Sequence, residues 1–324
     1  MSELTLSKNN LPPEDTPPLV TVQMPVFNGG QYLDETIKSI LTQSLSDFEF
    51  LVIDDGSTDN SLEILIDYSK QDARIRLISR ENRGLGNTQH ELVNFSRGEF
   101  IAQLDQDDIA MPNRLELQVN FLKKNPKVVA VGGAYQLIDG ANRYLTTLTP
   151  PQGNAEIQKL ILSGHSAIAH SSVMMRSELL KSIGSYDPSF SLAMDLDLWL
   201  RLGEAGELAN LADVLIKYRL HDRSASEKVG LEQRREARRA CENAWRRRNV
   251  MGTFTAEELW RPGPDSASRH KFMLKYGWWA WNSRQRKTAA FYGWQAIKLM
   301  PFSLAGWKLL IVSLLKPLVQ ISRS

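Results

Sequence analysis

Asp105-Gln106-Asp107-Asp108 sets three carboxylates within four residues. Like charges at this spacing repel by on the order of several kcal/mol at intermediate dielectric. A hard cation such as Mg2+ or Mn2+, which prefers oxygen donors, would relieve that repulsion. Such a cation could also neutralise a departing diphosphate, the charge that must be balanced when a nucleotide sugar gives up its sugar. The competing reading is a solvated acidic turn ahead of a helix, and a lone Asp-x-Asp favours it. Here an apolar run before the cluster and a helical pattern after Pro112 favour chemistry.

Asp54-Asp55, in VIDDGSTDN, closes another apolar run. Asp55 could accept hydrogen bonds from a nucleobase or ribose, with Gly56 permitting a tight turn and Ser57 or Asp59 capping the next helix. A turn and cap without a ligand fits that segment equally well. Asp195, in SLAMDLDLWLRL, stands just before a helical pattern. A positioned carboxylate there could take the proton from an attacking hydroxyl, which is typically worth about 10²–10⁴-fold. The alternative is a helix cap, for which Asp197 is better placed. In YRLHDRS, His221 suits a metal or diphosphate ligand and Arg219 a phosphate contact. A single histidine is nevertheless more often structural.

These residues need a scaffold that gathers them. Residues 20–26, 48–53, 75–78, 100–104 and 128–131 read as strands, and 31–43, 62–68, 86–95 and 113–124 as helices. Strand and helix in alternation predict an α/β domain with a mainly parallel sheet. In such sheets ligands bind beyond the carboxyl ends of the strands, where two of these runs end in acid. After Gly140 the pattern loosens: 141–170 reads as mixed loop and helix, 171–175 as a short strand, 197–204 as a helix. A strongly charged helix is expected over 226–248.

The chain has 324 residues, 42% hydrophobic and 23% charged, which suits a globular protein with a large core. A net charge of +2 excludes a polyanion binder acting through the whole molecule. The single cysteine, Cys241, excludes an intrachain disulfide and a cysteine-rich metal site. No basic stretch followed by an apolar run opens the chain, so no secretory signal is expected. Residues 1–17, rich in proline and acid around LPPEDTPP, read as a disordered leader.

Taken together, VTVQMPVFNGGQYLDETIKSILTQS, FLVIDDGSTDNS, GEFIAQLDQDDIAMPNRLELQ, HSSVMMRSELLKSIGSYD, AMDLDLWLRL and YRLHDRSAS resemble the family 2 glycosyltransferases of the GT-A fold. Their number and order over about 20–226 carry the likeness. It implies a Rossmann-like α/β domain over 18–225 with a mainly parallel central sheet, followed by a helical extension over 226–324. It implies that Pro25 borders the uracil or equivalent base and that Asp55 holds base or ribose. Asp107 would meet the ribose and Asp108 the cation, with Asp105 close to the diphosphate. Asp195 would be the catalytic base, and His221 would lie near the metal and diphosphate. The implied reaction is a single displacement with inversion, from a nucleotide-diphosphate sugar (UDP being the commonest carrier) to an acceptor hydroxyl, with Mn2+ or Mg2+. Two departures stand out. Met194 replaces the Glu that usually precedes the catalytic Asp, which puts the acceptor type in doubt. Asn87-Thr88-Gln89-His90 replaces the usual Ala-Arg-Asn.

Two rivals remain at this point. A sugar-nucleotide nucleotidylyltransferase would need a glycine-rich, lysine-containing phosphate loop, and PVFNGG has no basic residue. A catalytically inactive glycan- or lipid-binding relative is kept open by Met194. Nucleic-acid binding through the arginines ranks low, because no recognised module accompanies them.

In the C-terminal third, Arg234, Arg235, Arg238, Arg239 and Arg246–Arg248 suit either a solvated helix paired with Glu232, Glu236 and Glu242 or anionic lipid headgroups. Trp278, Trp279, Trp281, Trp294 and Trp307 suit either a membrane interface or packing between helices. Trp307, Leu310, Ile311, Leu314 and Leu318 form an apolar stripe, but Pro301, Lys308, Lys316 and Pro317 interrupt any spanning segment. The expectation is a cytoplasmic enzyme attached peripherally to the inner membrane face, building surface polysaccharide or a lipid-linked glycan.

Overall fold

The computed structural model describes residues 4–6, 17–221, 230–256 and 265–315. They form two compact units. The first comprises 1–135, 149–218 and 232–256, and the second 136–148, 219–231 and 257–324. The division therefore does not fall at 225/226. The arginine-rich helix belongs to the first unit, and a short stretch near 140 belongs to the second.

The first unit opens with β1 (Leu4–Leu6), β2 (Val20–Val26), α1 (Gly30–Leu41), β3 (Phe48–Asp54), α2 (Ser61–Gln71), β4 (Ile75–Ser79), α3 (Leu85–Phe95) and β5 (Phe100–Gln103). Every residue of β2, β3 and β5 is buried, as in a parallel strand covered on both faces. In α1 the buried positions Leu33, Thr36, Ile37 and Ile40 recur at helical spacing and lay one stripe on the sheet. β2 pairs in parallel with β3 on one side and with β5 on the other, and β4 extends the β3 side. The connection through α3 thus returns the chain across β2. That reversal is a topological switch point, and ligands of open α/β sheets bind beyond the carboxyl ends of the strands at such points. The leader is not wholly without structure: β1 pairs antiparallel with β4.

Next come β6 (Ile109–Ala110), α4 (Arg114–Lys124), β7 (Val128–Asp139), β8 (Tyr144–Leu148), α5 (Asn154–Leu162), β9 (Met174–Arg176), α6 (Ser177–Ser182), α7 (Met194–Ala205) and β10 (Glu207–Leu220). β9 lies antiparallel between β5 and β7, so the sheet is mixed beyond β5. The full order is β1-β4-β3-β2-β5-β9-β7-β10-β6, with β8 paired to β7. The strand expected over 171–175 is shorter and is preceded by a 3-10 turn at His170–Ser172. Strand β8 and helix α5 occupy the stretch that reads as loosely patterned.

Helix α8 (Gly230–Arg248) closes the first unit. Its arginines are largely committed within that unit. Arg247 and Arg248 pair with Glu204 at 2.8 and 3.3 Å, and Arg248 also donates to Leu200 O and Gln158 Oε1. Arg238 lies over Phe254 and Arg239 over Phe190. The pairing is thus mostly with other elements, rather than with glutamates along the same helix.

The second unit holds the hairpin at the end of β7 with β8, and helices α9 (Ser266–Asn282), α10 (Arg286–Leu299) and α11 (Leu304–Leu315). Tyr292 and Arg143 both donate to Asp139 Oδ2 at 2.7 Å, and the Arg143 guanidinium lies 3.7 Å from the Phe291 ring centre. Helices α10 and α11 approach so closely that a Cβ at Gly293 would meet the Leu310 backbone. Trp278 and Trp281 pack against Ala280, Ala289 and Leu309. Trp278 and Trp281 thus serve packing between helices, whereas Trp294 and Trp307 are exposed. Gly306, Leu309 and Ser313 form the inward face of α11. The stripe expected from sequence points outward at Trp307, Ile311 and Leu314, beside exposed Phe302, Leu304 and Leu315. Leu318 lies outside the described residues. No helix among the described residues is long and apolar enough to cross a membrane.

Candidate active site

Asp55 follows β3 and is buried. Its Oδ1 accepts from the Arg80 guanidinium and from Arg83 N at 2.8 Å, and its Oδ2 from Gly84 N at 3.0 Å. A carboxylate offers roughly four lone-pair sites. The protein itself thus fills three of them, so Asp55 builds the 80–84 turn. Arg80 is buried too, and donates to Glu91 and to Thr88 Oγ1 at 2.9 Å each. The departure at residues 87–90 thereby acquires a use: Thr88 receives Arg80, and His90 Nδ1 lies 3.3 Å from Tyr186 O.

Pro25 is buried inside β2, opposite Ile53. A central strand tolerates proline only where no donor is needed. Leu104 N donates to Gln23 O, whereas Asp55 N donates to Val26 O. By that alternation Pro25 turns its nitrogen toward β5, which has already ended at Gln103.

The loop after β2 is tied to both acidic segments. Asn28, in a left-handed conformation, accepts from Thr58 N at 2.8 Å, and Gly30 N donates to Asp59 Oδ2 at 3.1 Å. Gln106 holds Phe27 from both sides, accepting from its N–H at 2.9 Å and donating to its carbonyl at 3.1 Å. The Gln106 side chain lies where a Cβ on Gly29 would stand, so only glycine leaves that clamp undisturbed. The expected helix caps differ: Asn60 occupies the cap position of α2 without a side-chain bond, Asp59 accepts from Ser61 just inside, and Ser57 Oγ accepts from Asn28 N.

Asp105 and Asp107 are half-buried, and Asp108 is buried. Beneath them lies Arg114, fully enclosed and donating to Gln103 O at 2.6 Å and Gln118 Oε1 at 3.1 Å. Burial lowers its pKa to about 10, against the pull of Asp108 and Asp105. The repulsion in the acidic turn is therefore partly offset by a protein cation, beside whatever a bound metal would contribute. No group of three or more His, Cys, Asp or Glu side chains that could hold a metal ion occurs among the described residues.

Asp105 Oδ1 lies 3.3 Å from His170 Nδ1, and His170 Nε2 lies 2.9 Å from the Tyr186 hydroxyl. Burial opposes ionisation of Asp105, but its charge contact and hydrogen bond with His170 outweigh that and hold its pKa below the usual value. Burial likewise disfavours imidazolium, yet Asp105 and then Asp195 raise the His170 pKa. Asp195 sits half-buried in the first turn of α7 and accepts from Leu196 N at 2.8 Å. Burial raises its pKa, with His170 pulling the other way. Asp105, His170, Tyr186 and Asp195 thus form one electrostatic cluster. Contacts run onward from it through Tyr186 and His90 into α3 and to Arg80 and Asp55.

Asp197 is not the cap of α7: it is buried and pairs with Arg201 at 2.8 Å. Met194 packs into the apolar core around Trp199 and Leu198, so the position before Asp195 is a core position here. Arg219 and His221 belong to the second unit. Arg219 is buried and donates to Asn142, and His221 is half-buried after the end of β10. Sequence reasoning did not single out His170, Tyr186, Arg114 or Arg80. A histidine before two serines and an arginine two residues after a proline carry no chemical signal until folding places them beside carboxylates.

A family model described as Glycosyl transferase family 2 matches residues 21–184. An uncharacterised glycosyltransferase of Methanocaldococcus jannaschii is 34% identical over 64% of this chain and 72% of its own length. One from Rickettsia typhi is 34% identical over 63% of this chain, which spans 65% of that relative. Escherichia coli chondroitin synthase is 29% identical over 64% of this chain and 30% of its own. Among solved structures, Staphylococcus aureus TarS with UDP-GlcNAc superposes with a TM-score of 0.51 at 15% identity, covering 91% of this chain and 79% of that one. A Pyrobaculum calidifontis mannosyltransferase with GDP-Man and Mn2+ gives 0.51 at 18% identity, covering 93% and 81%. The fold is that of GT-A glycosyltransferases, a mixed α/β sheet with helices, followed by a helical C-terminal region.

Proposed function

This chain belongs to glycosyl transferase family 2, and from that premise we propose that it moves a sugar from a nucleotide-diphosphate sugar, a UDP-sugar, to an acceptor hydroxyl with inversion. The observation that carries the reading is the clustering of Asp105 and Asp195 around His170 beyond the end of β5.

In this reading the donor's base and ribose lie along the loop after β2 and the 80–84 turn, bordered by Pro25 and Asp55. Asp107 meets the ribose and Asp105 faces the diphosphate. Asp195 is the base. Its raised pKa makes it the better proton acceptor, since a general base works best with a pKa near the operating pH. It takes the acceptor hydroxyl's proton as that oxygen bonds to the anomeric carbon. The bond to the diphosphate breaks on the opposite face, and the diphosphate leaves with the electron pair. His170, between Asp105 and Tyr186, keeps Asp105 ionised and oriented.

Mn2+ or Mg2+ would supply charge neutralisation of the leaving diphosphate. Such ions are commonly held by one or two carboxylates plus substrate phosphates rather than by a full protein cage. The hard oxygens of Asp108 and its neighbours suit that mode. The acceptor is a growing surface polysaccharide or a lipid-linked glycan, met where the protein attaches peripherally to the inner face of the cell membrane. The exposed apolar face of α11 supports that attachment better than the arginines of α8, most of which are engaged within their own unit.

A panel of nucleotide sugars assayed for nucleotide release with Mn2+ tests the reading. Turnover with one donor, lost in Asp195→Asn, is expected. Absence of turnover with every donor would favour an inactive binding relative.

A further inference from the structure

Helix α7 carries Asp195 but has no cap of its own: Ala193 stands at the cap position and makes no side-chain bond. N–H groups at and before a helix start need acceptors from elsewhere. One carboxylate supplies them here. Glu236, in the middle of α8, accepts from Ser191 N at 3.0 Å, Leu192 N at 2.7 Å and Ala193 N at 3.0 Å through Oε2, and from Ser191 Oγ at 2.9 Å through Oε1. Glu236 is buried. Burial works against its charge, but the backbone donors of Leu192, Ser191 and Ala193 outweigh that and hold its pKa below the usual value.

The neighbouring turns of α8 hold the same stretch by its carbonyls. Gln233 Nε2 donates to Leu192 O at 3.3 Å, and Arg239 donates to Ser189 O at 2.7 Å while covering the Phe190 ring at 4.1 Å. Positions 233, 236 and 239 follow at three-residue steps, so a single face of α8 reads out the backbone of 189–193. From here the chain enters α7 and, two residues after Ala193, presents Asp195.

We propose that Glu236 is a positioning residue for Asp195: by gathering three consecutive backbone N–H groups, it sets where α7 begins and hence where the Asp195 carboxylate points. The inference rests on the reading of Asp195 as the base. It gives α8 a role in catalysis without any contact with substrate. Misplacing a reacting group by about 1 Å can cost on the order of 10²-fold in rate. Glu236→Gln keeps the length but presents an amide NH2 to N–H donors in place of one carboxylate oxygen.

The test compares Glu236→Gln, Asp195→Asn and the double variant in the full-length protein, reading kcat, donor KM and donor affinity. Glu236→Gln is expected to lower kcat by about 10- to 100-fold with donor KM unchanged. It should add no further loss in the Asp195→Asn background, because a residue acting through Asp195 has nothing left to act on. An equal loss in that background, or a loss in donor affinity matching the loss in kcat, would overturn the proposal. Should Glu236→Gln fail to fold, Glu236→Asp decides. A well-folded Glu236→Asp with lowered kcat and unchanged donor KM supports positioning, and one with full kcat leaves Glu236 a purely structural role. A fully active Asp195→Asn would instead sink the base assignment. Full activity of Glu236→Gln beside a dead Asp195→Asn would sink only the role given to Glu236.

Discussion

Arg80→Met removes a buried cation while keeping most of the side chain's length. The guanidinium is 3% exposed and its partner Asp55 5% exposed. Without Arg80, Asp55 keeps two backbone donors, Arg83 N and Gly84 N. Removing one partner of a buried ion pair typically costs about 3–5 kcal/mol. The two remaining amides place this case near the lower end, at about 3 kcal/mol. Glu91, the other partner, is 21% exposed and retains Arg83 at 2.9 Å, so its share is no more than about 1 kcal/mol. For a unit of about 230 residues each kcal/mol lowers the melting temperature by about 2–4 °C, so a loss of about 3–4 kcal/mol gives a drop of about 6–16 °C. Circular dichroism melts of wild type, Arg80→Met and the Arg80→Met/Asp55→Asn double variant measure it. The double variant should melt above Arg80→Met, because asparagine removes the stranded charge. A melting temperature for Arg80→Met within about 2 °C of wild type would refute the buried-charge argument. If the donor lies along the 80–84 turn as proposed, the variant's donor KM should rise at temperatures where it remains folded.

Other consequences are open to direct measurement. His170 has a folded-state pKa above its ordinary value of about 6.5, so protonation favours the native state. Relative to His170→Gln, wild type should hold its full advantage below about pH 6.5 and lose it as pH rises through the folded pKa, as read by urea unfolding across pH. A stability difference between the two that is flat with pH would contradict this. Gly29→Ala should push Gln106 off Phe27, costing about 1–2 kcal/mol for two partly exposed hydrogen bonds and raising donor KM; an unchanged KM would count against that loop as donor-facing. Ile311→Asp/Leu314→Asp, on the exposed face of α11, should reduce co-sedimentation with anionic vesicles and leave nucleotide release in solution unaltered. Equal co-sedimentation would remove α11 as the membrane contact.

Periodicity alone locates most of the first unit. The apolar runs of β2, β3 and β5, the stripe of α1 and the acid at the strand ends are local patterns, and local patterns survive in one dimension. They predict ligand binding beyond the strand ends and place Asp55 and Asp105 there. What one dimension cannot carry is which partner each charge meets. Asp55 reads as an open acceptor, but folding brings Arg80 to it from 25 residues away, and Asp105 meets His170 across 65. The apolar stripe of α11 is equally plain in sequence, but the near faces of α9 and α10 decide that Leu309 turns inward while Ile311 and Leu314 face out.

Residue type and spacing alone determined that this chain builds a parallel α/β core with carboxylates at its strand ends, because burial periodicity and strand punctuation depend only on neighbours along the chain. Tertiary structure alone decided which carboxylates are satisfied by the protein, that Arg114 partly counters the acidic turn, and that Glu236 seats the helix of Asp195. Charge compensation depends on distance in space, and residues 41 positions apart in sequence, as Asp195 and Glu236 are, acquire a distance only when the chain folds.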